Sequence, residues 1–135
     1  MAIQFSVGVR NGRLDSIETT IGTTPILRIR SGGPPTNAAA TDTGDVLATM
    51  TLPSDWMSAA SSGSKERLGT WQDTSADDTG VAGHFRIYDS SGTTCHIQGT
   101  ITATGGGGDM ELDNTSLATG QQVTVSTFTL TDGNA

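Results

Sequence analysis

Two histidines, His84 and His96, and the single cysteine, Cys95, fall within one stretch of the chain. Imidazole and thiolate are zinc ligands, and a zinc site needs three or four of them. If Val81 to Tyr88 and Thr93 to Thr104 pair as a hairpin, the histidines become diagonal neighbours on one face. Cys95 then has the opposite parity and points inward as a small, inert thiol rather than a nucleophile. Two ligands do not make a site, so the histidines read as side chains of a polar, solvent-facing sheet surface.

Asp109, Glu111 and Asp113 alternate along one face of a short strand and offer oxygen ligands to calcium. Their spacing lacks the glycine and closing glutamate of a calcium-binding helix–loop–helix loop. The plainer reading is an acidic sheet edge that discourages strand-to-strand association. Ser, His and Asp are all present, but no G-x-S-x-G elbow singles out one serine as a nucleophile. Gly105 to Gly108 is not followed by the Lys-Ser or Lys-Thr of a phosphate loop and reads as a pliable connection. Trp56, Met57 and Trp71 are large side chains in polar surroundings. They fit an interface core or the protein's own core equally. No catalytic residue, metal site or cofactor is expected.

The elements that position these residues follow from periodicity. Ser6 caps a helix over 6–21, Gly22 ends it, and Val7, Leu14, Ile17 and Ile21 form its apolar stripe. Gly8 and Gly12 weaken it, so it needs a surface to pack on. From Pro25 the period is two. Pro25 to Arg30 alternates Leu27 and Ile29 with Arg28 and Arg30. Ser31 to Gly44 is a loop with Pro34 and Pro35. Asp45 to Leu52 is a strand with Val46, Ala48, Met50 and Leu52 on one face, and Pro53 stops it. Leu68 to Gln72 reads as a short strand carrying Trp71.

Asp89-Ser90-Ser91-Gly92 fits a type I turn followed by a left-handed glycine. Pairing Asp89 with Thr93 sets Ile87 opposite Cys95 and Phe85 opposite Ile97. Val123 to Thr131 changes parity midway, which a bulge near Ser126 reconciles. About seven or eight short strands after one helix predict a mainly β fold, a jelly-roll-like β-sandwich with one short N-terminal α-helix. The domain is expected to span residues 1–135, with strands over 25–131.

The chain has 135 residues, 33% hydrophobic and 4% aromatic, so its core material is thin and a partner surface or further copies of the chain would add stability. Seven basic residues stand against 14 acidic ones, which argues against phosphate-neutralising contact with nucleic acid and against anionic membranes. No apolar stretch reaches the ~20 residues of a membrane span, and the N-terminus lacks a signal-peptide pattern. One cysteine allows no intrachain disulfide.

The segments RNGRLDSIETTIG, PILRIRSGGPP, VLATMTLPSDWM, GHFRIYDSSGTTCHIQGT and TATGGGGDMELDNTSL together resemble the capsid cement (decoration) proteins of tailed bacteriophages, a Bordetella phage among them. The resemblance covers nearly the whole chain. It implies a jelly-roll-like domain on the outer surface of an icosahedral head, made in the host cytoplasm, that ties major capsid protein subunits together. It implies no catalysis and no cofactor. It also implies self-association, with a homodimer placed ahead of a trimer. Ile17, Ile21, Pro34, Pro35, Trp56, Met57 and Trp71 are the expected capsid or subunit contacts. A tail, baseplate or fibre component uses the same kind of Thr/Gly-rich domain, although no repeat is present. A carbohydrate-binding jelly roll is a third class, and it calls for exposed aromatics on a sheet face.

Overall fold

The computed structural model describes residues 2–133. One helix, α1 (Val7–Ile21), precedes nine strands: β1 (Ile26–Ser31), β2 (Val46–Thr51), β3 (Ser64–Glu66), β4 (Gln72–Asp73), β5 (Gly80–Tyr88), β6 (Cys95–Ala103), β7 (Met110–Leu112), β8 (Ser116–Leu117) and β9 (Val123–Thr131). The fold is mainly β with one N-terminal helix and a curled mixed sheet, compatible with the jelly-roll-like sandwich expected. The strands form one continuous sheet in the order β2-β1-β5-β6-β7-β9-β3, with β4 paired to β9 and β8 to β5.

Single-residue bulges help this sheet curl. The registers skip Leu47 in β2, Gly83 in β5, His96 in β6 and Ser126 in β9. Each extra residue bends its strand and increases the local twist. The bulge at Ser126 is where the parity change of the last strand requires it. Gly83 has to be glycine: a Cβ there would lie 2.2 Å from the carbonyl oxygen of Gly32.

Curling brings β5 against β9. Phe85 meets Phe128 edge-on at 5.4 Å, Phe128 meets Trp71 at 5.5 Å, and Trp71 meets Trp56 at 6.0 Å. This row of four aromatics crosses the interior, so a chain poor in aromatics still fills its centre. Leu27, Ile29, Met50, Ile87, Met110, Leu112 and Val125 close around it, all 1% exposed or less.

The glycine run has a specific task. β6 and β7 are parallel, with Ile101 opposite Met110, yet only residues 104–109 connect them. Parallel neighbours ordinarily need a crossover of a dozen or more residues. Gly105 and Gly107 adopt positive φ (86° and 82°), and a Cβ on Gly106 or Gly108 would strike Thr102 at 2.7 or 2.8 Å.

Both outer strands are covered. Asp73 accepts from the Thr49 amide of β2 at 3.0 Å, and the Leu47 carbonyl accepts from the Asp77 amide at 2.8 Å. On the far side the Glu66 carbonyl of β3 accepts from the Ser58 amide at 2.8 Å.

Several expectations are corrected. A strand also forms at Ser64–Glu66, where the alternation marks none, and pairs with the end of β9. Trp71 lies just before β4 rather than inside a strand, because its side chain is drawn into the aromatic row. β7 is not an edge: it lies between β6 and β9. The helix begins and ends as expected, with Ser6 Oγ accepting from the Val9 amide and Gly22 at φ 91°. Its stripe is shorter, however, since Leu14 and Ile21 are buried, Ile17 is half-buried and Val7 is exposed.

Candidate functional site: a fastened loop and an exposed N-terminal arm

The hairpin register differs from the turn-based expectation. Ile87 faces Ile97 and Tyr88 faces Cys95, with His96 as the extra residue. The core parity survives, but Cys95 passes to the polar face, beside Arg86, and is half-buried. His84 now faces Thr100, well along the strand from His96. The two histidines therefore do not share a site. His96 stands next to Ile17 and Ile21 of α1, while His84 is fully buried and donates from Nδ1 to the Gly32 carbonyl at 2.8 Å.

The polar face of β1 and β5 is not solvated. Residues 32–44 fold back across it, joined at their base by hydrogen bonds between Ser31 and Asp45. Asp42 is the fastening. Its Oδ1 accepts from Arg86 Nη1 and, at 2.6 Å, from the Tyr88 hydroxyl; its Oδ2 accepts from Arg30 Nη2 at 2.9 Å. Arg86 also donates to the Ala38 and Ala40 carbonyls, Arg30 to the Gly44 carbonyl, and Gln98 to the Pro35 carbonyl. Burial pushes the Asp42 carboxyl up, but the Tyr88 hydrogen bond and the charges of Arg30 and Arg86 outweigh it, so its pKa lies below the ordinary value. This loop contains almost no large apolar side chain, so hydrogen bonds hold it where a sheet cover is usually held by apolar packing.

A second fastening docks α1. Lys65 of β3 is 1% exposed and reaches Asp15 at 2.8 Å and Glu18 at 2.9 Å, while also donating to the Ser58 carbonyl. Burial pushes the Lys65 amine down, but its two carboxylate partners more than reverse this and raise its pKa. Asn11 accepts from the Gly63 amide, and Arg10 and Arg13 both hold Asp132.

The three alternating carboxylates are each engaged. Asp109 accepts from the Thr100 amide and hydroxyl, Glu111 from the Gly107 amide and the Thr127 hydroxyl, and Asp113 from the Thr124 amide. They act as local ties for the glycine connection and β9. Among the described residues no group of three His, Cys, Asp or Glu side chains is gathered as for a metal ion.

The expected contact residues divide. Trp56, Met57 and Trp71 are 0–1% exposed and belong to the core, and Ile21 is also buried. In this fold the four have almost no surface to offer a neighbour, so the interior reading of the tryptophans holds. Pro34 is exposed, while Pro35 and Ile17 are half-buried. The exposed apolar surface lies elsewhere. Ile3 (80% exposed), Phe5, Val7 and Val9 form an arm that leads into the first turn of α1. Apolar Ile3 and Phe5 ahead of the helix, continued by Val7 and Val9 in its first turn, are the sequence signal for it.

No protein-family model matches the chain, and it matches no curated protein and no solved structure.

Proposed function

We propose that this protein is a structural component of a tailed-bacteriophage virion: a capsid cement (decoration) protein on the outer surface of the head that stabilises contacts between major capsid protein subunits. The observation that carries the reading is the arm. Among the described residues, four of the six exposed large apolar side chains fall within residues 3–9. Exposed apolar surface concentrated in one place marks a protein contact. The rest of the molecule supports adhesion rather than turnover. Asp42, Arg30, Arg86 and Tyr88 are engaged in holding a loop in place, and Lys65, Asp15 and Glu18 a helix. The resemblance of the segments around both fastenings to cement proteins supplies the partner. In this reading the protein works by binding alone, without cofactor, nucleic acid or membrane.

The test is the intact particle. Cryo-microscopy with quantitative mass spectrometry is expected to find this chain on the outer shell, in on the order of hundreds of copies, as repeated symmetric sites require. A few copies located on the tail, or absence from the particle, overturns the reading.

A further inference from the structure

We propose that residues 32–44 enclose an internal water-binding site on the polar face of the sheet, built from Arg30, His84 and Gln98. The site stands whether or not the chain acts on a capsid.

Among the described residues, four buried side-chain polar atoms have no hydrogen-bond partner within the protein, and three of them are Arg30 Nε, His84 Nε2 and Gln98 Oε1. Protein interiors rarely leave such atoms unmatched. The three belong to one place. Arg30 stands directly opposite His84 across β1 and β5, and Gln98 of β6 stands opposite Arg86, two residues along from His84. All three side chains therefore rise from the same face of the sheet. They also share one roof: His84 is bonded to the Gly32 carbonyl, Gln98 to that of Pro35 and Arg30 to that of Gly44. The bulge at Gly83, where a Cβ would strike the Gly32 carbonyl, lets this roof come down onto His84. Beneath it Arg30 is 7% exposed and His84 0%.

The roof also fixes what each atom offers. A carbonyl only accepts, so the hydrogens lie on His84 Nδ1 and Gln98 Nε2. In a neutral imidazole that leaves a lone pair at Nε2, and in the amide it leaves Oε1. Arg30 Nε carries an N–H. The site thus presents one donor and two acceptors. Its neighbours are already engaged. Thr100, opposite His84 on β6, exchanges hydrogen bonds with Asp109, and Arg86 is bonded to Asp42, Cys95 and the Ala38 and Ala40 carbonyls. An anion would meet two acceptors here, and a cation would meet the Arg30 guanidinium. A water molecule satisfies all three atoms: it accepts from Arg30 Nε and donates to His84 Nε2 and Gln98 Oε1, the roughly three hydrogen bonds that buried waters make. Water so placed ties β1, β5 and β6 together under a loop that apolar packing does not hold down, and it can leave only when the loop lifts.

Oxygen-17 magnetic relaxation dispersion of the full chain in enriched water counts the long-lived internal waters, and nitrogen-15 NMR of His84 reads where its proton sits. The expected result is at least one water held for longer than the protein takes to tumble, with cross-relaxation from water to the His84 ring and the Arg30 Nε–H, and the His84 proton on Nδ1. His84→Phe keeps a ring of similar size without the acceptor and is expected to lose one long-lived water. Should it fail to fold, Gln98→Leu takes its place. Asp42→Ala, which loosens the loop, is expected to shorten the residence time about tenfold or more, because exchange follows local opening. A wild type without a long-lived water, a His84 proton on Nε2 alone, a count unchanged in the folded variant, or a residence time indifferent to Asp42 overturns the proposal.

Discussion

Arg28 and Arg86 stand directly opposite each other across the β1–β5 ladder. Like charges in that relation destabilise a sheet. Here the Tyr88 ring lies 4.6 Å from the Arg28 guanidinium and 5.9 Å from that of Arg86, and Asp42 takes up the charge of Arg86. The loop that carries Asp42 is therefore a necessary part of this face.

Replacing that carboxylate should release the loop. Asp42→Ala leaves Arg86, 1% exposed, without its counter-charge. The expected cost is about 2 kcal/mol, below the ~3–5 of a fully enclosed pair because the carboxylate is partly exposed and screened. Urea denaturation gives the cost, and hydrogen exchange should show residues 33–44 losing protection ahead of the core. Unchanged protection there would mean that the Gln98 and Arg86 contacts to loop carbonyls suffice.

The Lys65 site predicts an asymmetry. The ammonium is enclosed, while Asp15 and Glu18 keep 47% and 23% of their side-chain surface in solvent. Lys65→Met frees two carboxylates that water can solvate, so it should cost less than about 2 kcal/mol. Asp15→Asn combined with Glu18→Gln strands the enclosed cation and should cost more. Equal midpoint shifts in denaturant would contradict the assignment of Lys65 as the enclosed partner.

Trp56 and Trp71 should emit at short wavelength and resist quenching by iodide, since both are 0% exposed. Trp71→Ala should cost about 3–5 kcal/mol as the aromatic row opens. Ready quenching of both indoles in the isolated protein would favour the interface reading of the tryptophans over the interior one.

Acid should weaken the fold in a defined window. Hydrogen bonds from the Ser91 hydroxyl and the Thr93 and Thr94 amides bring the Asp89 pKa down to about 2, and Glu111 is lowered by the Gly107 amide and the Thr127 hydroxyl. Carboxyls depressed in the folded state stabilise it above their unfolded pKa, ~3.9 for Asp and ~4.3 for Glu. The Asp89 contribution declines below about pH 4 and is lost as pH falls through about 2, and the Glu111 contribution likewise declines as pH falls below its unfolded value. Denaturant midpoints should therefore hold steady down to about pH 5 and then drop, with a shallower drop in Asp89→Asn. A flat profile to pH 2 would remove these hydrogen bonds from the account.

The local elements were readable because each carries its own signal. Ser6 and Gly22 bound the helix, Gly92 closes the turn, and the broken parity of β9 places the bulge at Ser126. The register of β5 and β6 was not readable: the turn alone favours one pairing, and the extra residue at His96 resets it where α1 packs nearby. The polar face was misread for a related reason. Alternating Arg28, Arg30, His84 and Arg86 look like a solvated surface, and the loop above them carries no apolar pattern to announce a cover. Three arginines gathered on one face of two neighbouring strands were the available sign that a carboxylate had to arrive from elsewhere. Nothing local distinguishes Lys65 from a surface lysine.

The covered outer strands have a consequence for crowding. With Asp73 and Asp77 bonded to β2 and Ser58 to β3, a neighbour is denied the bare backbone on which ribbons and fibrils nucleate. Molecules of this kind can be held at very high local density without fusing into an extended lattice of their own, and what orders them must be side-chain fit or the surface on which they are laid.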